Sequence, residues 1–344
     1  MRVVDLRSDT VTKPTPEMRE AMARAEVGNA AWGEDPTVNE LERRSAELLG
    51  KEAGMFVVSG TMGNQTALRV WASRRMAPEI VCHERAHIYV NEAAGLATVC
   101  HAQLRPLPGK GGRIPADAIR AAVHPASNPV KPQTAAIALE NTHNWENGAV
   151  LDLDYHREVA ALAQELNLPI HLDGARIFNA ATYLGRPVRE ISQHVDSVQF
   201  CFSKGLAAPY GSMVVGSKAF IDDAKKVRQY LGGALRQGGV VAAPALIGLE
   251  TMTKRLHEDH AHCRRLAGAL KGTPLRFEEP QTNILVMDAS ATGKGAKEIM
   301  DACAKEGVLF SPISATEFRA VTHRDVSAAD VDRAADVLRA ALGQ

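Results

Sequence analysis

Two rhythms of apolar and polar residues alternate along roughly the first 220 positions. Short β-branched and aliphatic runs recur at residues 55–59, 79–82, 135–140, 169–173, 197–202 and 212–216, with the length and composition of buried strands. Helical spacing lies between several of them. Pro36–Leu49 puts Val38, Leu41, Ser45 and Leu48 on one stripe, and 155–166 has the same period. Strand and helix in alternation predict an α/β fold with a mainly parallel sheet covered by helices.

From about residue 240 the texture changes. A long helical stretch through residue 260 carries Ala243, Leu246, Leu249 and Leu256. Strand-like runs follow at 283–287, 308–311 and 319–322, then a last helix over 328–342 with Ser327 as its N-cap. This predicts a short N-terminal arm over 1–20, a large domain over 21–240 and a smaller α+β domain over 241–344.

Composition narrows the partners. Forty basic residues balance forty acidic ones, so no whole-chain field steers the molecule toward nucleic acid or an anionic membrane. A small, neutral or zwitterionic ligand is the expectation. The first ten residues lack the apolar core of a signal peptide, and no run of 18 apolar residues occurs. A cytoplasmic location follows as an expectation. The five cysteines are odd in number, widely spread and without a CxxC pair, which suits reduced core thiols.

In open α/β sheets ligands collect at the carboxyl ends of strands, and two predicted strands end in chemistry. One is Pro169-Ile170-His171-Leu172-Asp173-Gly174-Ala175-Arg176, which delivers a carboxylate and then a guanidinium. The other, Val198-Gln199-Phe200-Cys201-Phe202-Ser203-Lys204-Gly205, ends in a lysine flanked by small residues. A nucleophilic lysine needs such a setting, because burial or a nearby cation frees its amine and small neighbours admit a planar ring. Upstream, Val57-Val58-Ser59-Gly60-Thr61-Met62-Gly63-Asn64 leads a strand through a glycine turn into a helix. Free backbone N–H groups and the helix dipole there make a phosphate cradle. Each element alone has a bland reading as a turn or a solvated strand end. Their order, cradle then aspartate then lysine, is the one pyridoxal phosphate requires in one large class of its enzymes.

The chain resembles the L-threonine aldolases, β-eliminating-lyase-type enzymes of the aspartate-aminotransferase-like fold, fold type I of the pyridoxal-phosphate enzymes, with its seven-stranded sheet. The similarity runs over nearly the full length through residues 7–12, 33–37, 59–64, 140–144, 171–176, 203–206, 209–212, Gly232-Gly233, Arg236-Gln237, Arg319 and Thr322-His323. It implies that Lys204 holds the cofactor as a Schiff base, that Asp173 keeps the pyridine nitrogen protonated, and that Arg176 sits near the phenolic oxygen. It further implies phosphate binding by Gly60 and Thr61, with Arg236 reaching in from a neighbouring subunit of a dimer or tetramer. His87 resembles the histidine that stacks on the ring, and His143 a second one near the substrate side chain. Ser8 and Arg319 would grip the substrate carboxylate, Arg319 as a fork. The implied reaction is aldol cleavage of L-threonine, L-allo-threonine and related L-β-hydroxy amino acids to glycine and an aldehyde, with a neutral imidazole as base. Many relatives carry a lysine after the arginine upstream of Gly-Gly, whereas here Arg228 is followed by Gln229. If that lysine binds phosphate, this chain relies on Arg228 or Arg236.

Competing readings have residues too. His83-Glu84-Arg85-Ala86-His87 matches the zinc-peptidase HExxH signature, which works only where both histidines share a helix face. Another pyridoxal-phosphate reaction, β-elimination or transamination, could use the same cofactor site, and a non-catalytic binder could share the fold. Gly109-Lys110-Gly111-Gly112-Arg113 lacks the Lys-Ser/Thr pair of a nucleotide loop and predicts a turn.

Overall fold

The computed structural model describes residues 2–124 and 127–344. Its strands, in chain order, are β1 (Val4–Asp5), β2 (Ala53–Val57), β3 (Pro78–His83), β4 (Gln103–Leu107), β5 (Gln133–Glu140), β6 (Ile170–Asp173), β7 (Ser197–Cys201), β8 (Ser212–Gly216), β9 (Ile284–Asp288), β10 (Val308–Leu309), β11 (Ser311–Pro312) and β12 (Glu317–Val321). Strands β2 to β8 form one seven-stranded sheet in the order β2-β8-β7-β6-β5-β3-β4. All run parallel except β8, which is antiparallel to both neighbours.

The central strands β6 and β7 are buried along their whole length. That explains their unbroken apolar runs, since both faces are covered by helices. One face packs with Phe200, Ile170 and the helix Leu153–Glu165, the other with the helix Gly60–Ala72 and Trp71. Phe200 and Phe202 are fully enclosed, each contributing about 1.5–3 kcal/mol relative to exposure. Opposite β2, strand β4, absent from the sequence-based expectation, is one of the two edges of the sheet. Its residues are half-buried at most and include Arg105 and Pro106, a composition edge strands tolerate.

The helix Pro36–Leu49 starts where expected, its N-cap Asp35 accepting from the Val38 N–H at 2.9 Å. Its apolar stripe ends on Leu49, however, and Leu48 is exposed. From Ser45 a full turn of 3.6 residues lands nearer position 49. The stretch after residue 240 is likewise two helices, Gly239–Thr251 and Leu256–Ala269, separated by a 3-10 turn at Met252–Lys254. The first carries Ala242, Ala245 and Leu249 into the core beside the large sheet. The second passes between cores: Leu256 belongs to the first, and Cys263 and Leu266 to another.

That second core lies under the antiparallel sheet β11-β12-β9 and the helix Ala328–Ala341. The helix opens on a capping box between Ser327 and Asp330. Val4 and Leu6 join this core, because β1 pairs parallel with β10. The amino-terminal segment is thereby tied to the carboxy-terminal unit before it crosses to the large sheet. No helix among the described residues is long and apolar enough to cross a membrane, and all five cysteines are free and buried.

Candidate active site

Parallel strands β2, β3, β5, β6 and β7 send their carboxyl ends to the same edge of the sheet, and each delivers polar groups there. Past β2, the Ser59 hydroxyl caps the helix Gly60–Ala72 by accepting from the Met62 N–H at 3.1 Å. The N–H groups of Gly60 and Thr61 are left at the open helix start, positioned for an anion. Glycine is required at 63, where a Cβ would stand 2.6 Å from the Gln199 side chain. One turn further, the Asn64 amide donates to Asp173 Oδ2 at 2.7 Å and to Glu92 Oε1 at 2.9 Å.

Asp173 is the last residue of β6 and is buried. Besides Asn64, it accepts the Ala175 N–H at 3.1 Å. Its protein partners are neutral donors, and a buried carboxylate with neutral donors retains its affinity for a cation. Behind it, Asn64 Oδ1 meets His171 Nε2 at 3.1 Å, and Ser197 Oγ lies 3.0 Å from His171 Nδ1 and accepts from Trp71 Nε1 at 2.9 Å. Burial pushes the His171 pKa down to about 4. A neutral buried network of this kind fixes Asn64 and hence Asp173.

His87 follows β3 and begins the short helix His87–Val90. Its backbone N–H donates to Glu140 Oε2 at 2.6 Å, and its Nδ1 lies 2.9 Å from Glu92 Oε1. Burial works against its protonated form, but the Glu92 hydrogen bond and nearby Asp173 outweigh it and raise the pKa. Nδ1 is thus engaged, and the ring keeps about a quarter of its surface exposed. This geometry removes the zinc-peptidase reading. His83 ends β3 while His87 opens a separate helix, so the two share no helix face. His83 Nδ1 is taken by the Arg85 N–H at 3.1 Å.

Lys204 lies three residues beyond β7, half-buried, its carbonyl accepting from the Thr12 hydroxyl at 3.1 Å. Arg176 follows Asp173 and is buried in a two-point ion pair with Asp9, Nε and Nη2 each 2.7 Å from a carboxylate oxygen. Burial opposes an ionised Asp9, but Arg176 more than compensates and holds the carboxyl at about 2. Arg319 comes from β12, with Nη1 donating to Asn144 Oδ1 at 2.8 Å and its guanidinium 4.8 Å from the Trp145 ring centre. It pairs with no carboxylate among the described residues, and its buried Nε has no partner. Burial, then Arg176, draws its pKa down to about 10. Ser8 is half-buried at the start of the 3-10 turn Asp9–Val11, its hydroxyl accepting from the Thr10 N–H at 3.2 Å.

Two expected residues stand apart. The His143 ring is wholly buried, edge-on to His83 at 4.6 Å, with neither nitrogen hydrogen-bonded and Nε2 4.0 Å from Glu140. Burial and His83 push its pKa down to about 3. The Gly109–Arg113 turn roofs this pair, since a Cβ on Gly112 would stand 2.8 Å from His143. Arg236 is exposed on the loop between the helices Lys218–Tyr230 and Gly239–Thr251, held through its carbonyl by the Ala30 N–H at 2.8 Å. Arg228 is engaged within the fold, donating to the Phe56 carbonyl at 2.7 Å. Asp9, Asn64, Glu92 and Asn144 received no role from the sequence, although residues 7–12, 59–64 and 140–144 lay in the resembling segments.

The donor set suits pyridoxal phosphate: open N–H groups for its phosphate, an aspartate without a cationic partner for its ring nitrogen, and a strand-end amine for its aldehyde. Sheet order and site define an aspartate-aminotransferase-like fold of the pyridoxal-phosphate type-I class. Within it, the chain belongs to the beta-eliminating lyase family, which it matches over residues 5–292. Low-specificity L-threonine aldolase 1 of Arabidopsis thaliana is 40% identical over 337 residues, spanning 96% of this chain and 94% of that protein. The low specificity L-threonine aldolase of Escherichia coli K12 is 38% identical over 346 residues, spanning 99% and 100%. The solved threonine aldolase of Leishmania major shares the fold at a TM-score of 0.83 and 17% identity, over 98% of this chain and 99% of that one.

Proposed function

We propose that this protein cleaves L-threonine, L-allo-threonine and related L-β-hydroxy amino acids to glycine and an aldehyde, using pyridoxal phosphate joined to Lys204. The observation that carries the reading is the convergence, at the carboxyl edge of the large sheet, of a lysine just past β7, an aspartate hydrogen-bonded to neutral donors, and the buried Arg176, which Asn144 links to Arg319 from β12. When bound, the cofactor supplies an electron sink for the pair released as the Cα–Cβ bond breaks.

The chain's own residues divide the remaining work. Gly60 and Thr61 offer backbone N–H groups to the phosphate, and Asp173 offers its carboxylate to the ring nitrogen. His87, pinned through its backbone to Glu140, presents a ring face for stacking. Arg319, without a carboxylate of its own, takes the substrate carboxylate together with Ser8, and Arg176 stands beside it. Holding the carboxylate orients the bond to be broken, which turns binding into selection among the reactions this cofactor supports. The β-hydroxyl proton needs a base. We assign that role to His87 through Nε2, since Glu92 occupies Nδ1; His143 is wholly buried and neutral near pH 7. Arg236 extends from one subunit into the site of its neighbour, and the working unit is at least a dimer.

A visible spectrum of the purified protein before and after borohydride tests the cofactor link: a yellow band that bleaches, with the adduct on the Lys204 peptide, is expected. Colourless protein, or an adduct elsewhere, defeats the assignment. Product analysis tests the reaction. Glycine and acetaldehyde from L-threonine are expected, whereas 2-oxobutanoate and ammonia would mark an eliminating lyase instead.

A further inference from the structure

Asn144 occupies an unusual position between two buried cations. Its side-chain oxygen accepts from Arg319 Nη1 at 2.8 Å and from Arg176 Nη1 at 3.2 Å. Two guanidinium donors leave only an oxygen acceptable there, so the orientation of the amide is set by chemistry. Asn144 is itself buried, and its backbone N–H is held by Glu140 Oε1 at 2.7 Å. The other oxygen of that carboxylate takes the His87 N–H at 2.6 Å. One buried glutamate thus anchors both the ring-stacking residue and the residue between the arginines.

The charge balance explains why an amide stands here. Arg176 is neutralised by Asp9 through both of its carboxylate oxygens. Arg319 has the Asn144 oxygen, the Trp145 ring and an unpartnered Nε. A neutral acceptor fixes the guanidinium in place without cancelling its charge. A carboxylate of the same shape would form the ion pair that the substrate is meant to form.

We propose that Asn144 is a positioning and specificity-determining residue. It sets the spacing of Arg176 and Arg319 and, being uncharged, keeps Arg319 available for the carboxylate of an α-amino acid. The proposal rests on the assignment of Arg319 to the substrate carboxylate. It adds that discrimination for an α-carboxylate is tuned by the neutrality of its neighbour.

The test uses the holoenzyme and two amines, glycine and glycinamide, titrated against the visible spectrum of the bound cofactor. Wild type should bind glycine far more tightly. Asn144→Asp should raise the apparent Kd of glycine roughly ten- to a hundredfold and leave that of glycinamide unchanged. Asn144→Ser, too short to bridge and adding no charge, should weaken glycine binding less than Asn144→Asp does. This second variant keeps the test readable if the aspartate variant folds poorly. Equal weakening of both amines in the variants would reduce Asn144 to a structural part and overturn the inference, as would unchanged glycine binding. Failure of the underlying assignment looks different: wild type would then not distinguish the two amines, and Arg319→Gln would leave glycine binding intact.

Discussion

Asp9 and Arg176 stand 167 positions apart in the chain and meet in a fully buried two-point ion pair, both N···O distances 2.7 Å. The contact brings the amino-terminal segment, already tied to the carboxy-terminal unit by β1 and β10, onto the edge of the large sheet. Removing one partner of a buried pair strands the other. Asp9→Asn is therefore expected to lower unfolding stability by about 3 kcal/mol and to raise KM through displacement of Arg176. Because the folded-state pKa of Asp9, about 2, lies below the ordinary value near 3.9, its stabilisation is complete above about pH 4 and is lost as pH falls toward 2. Acid titrations of unfolding free energy should be flatter in that window for the variant. Identical curves would show that the pair contributes nothing.

Glu92 bonds the Nδ1 side of His87 and raises its pKa. Turnover that depends on neutral His87 falls on the acid side as that ring protonates. In Glu92→Gln the negative charge is gone and the His87 pKa drops, so the acid limb of kcat against pH should move to lower pH. A limb that stays in place would separate Glu92 from the ionisation that governs turnover.

His87→Asn and His143→Asn should each reduce kcat, by about 10²–10⁴-fold for whichever ring moves the β-hydroxyl proton, with the cofactor absorbance retained. Among the described residues His143 makes no hydrogen bond through either ring nitrogen, so its replacement strands none of them. Its melting temperature should shift by only a few degrees. Full turnover in both variants would take histidine out of the mechanism.

Subunit sharing can be read by mixing. Lys204→Ala and Arg236→Ala should each be inactive or nearly so, and co-refolded together they should regain about a quarter of wild-type sites, because half the dimers are hybrids with one intact site each. Mixtures no more active than their parents would place Arg236 outside the neighbouring site.

Much of the fold was legible because its central strands are covered on both faces and so read as unbroken apolar runs. The strand that ends on Asp173 and the one that leads to Lys204 were readable for that reason, and the glycine-led helix start at Gly60 was readable as well. The edge strand Gln103–Leu107 was not, since half-buried residues need no apolar period. The HExxH segment shows the limit of spacing as a signal. Its histidines stand four apart in the chain, yet a strand ends on one and a helix begins on the other.

Local sequence determined where strands end, where helices are capped and which side chains are left at those ends, because backbone hydrogen bonding and burial act over a few residues. The lysine, the aspartate and the open helix start at Gly60 are all features of that range. Tertiary structure alone decided their partners: Asp9 against Arg176, Asn144 between two guanidiniums, and Glu92 behind His87. Charges in a buried site act across space, and the groups that balance them come from segments far apart in the chain.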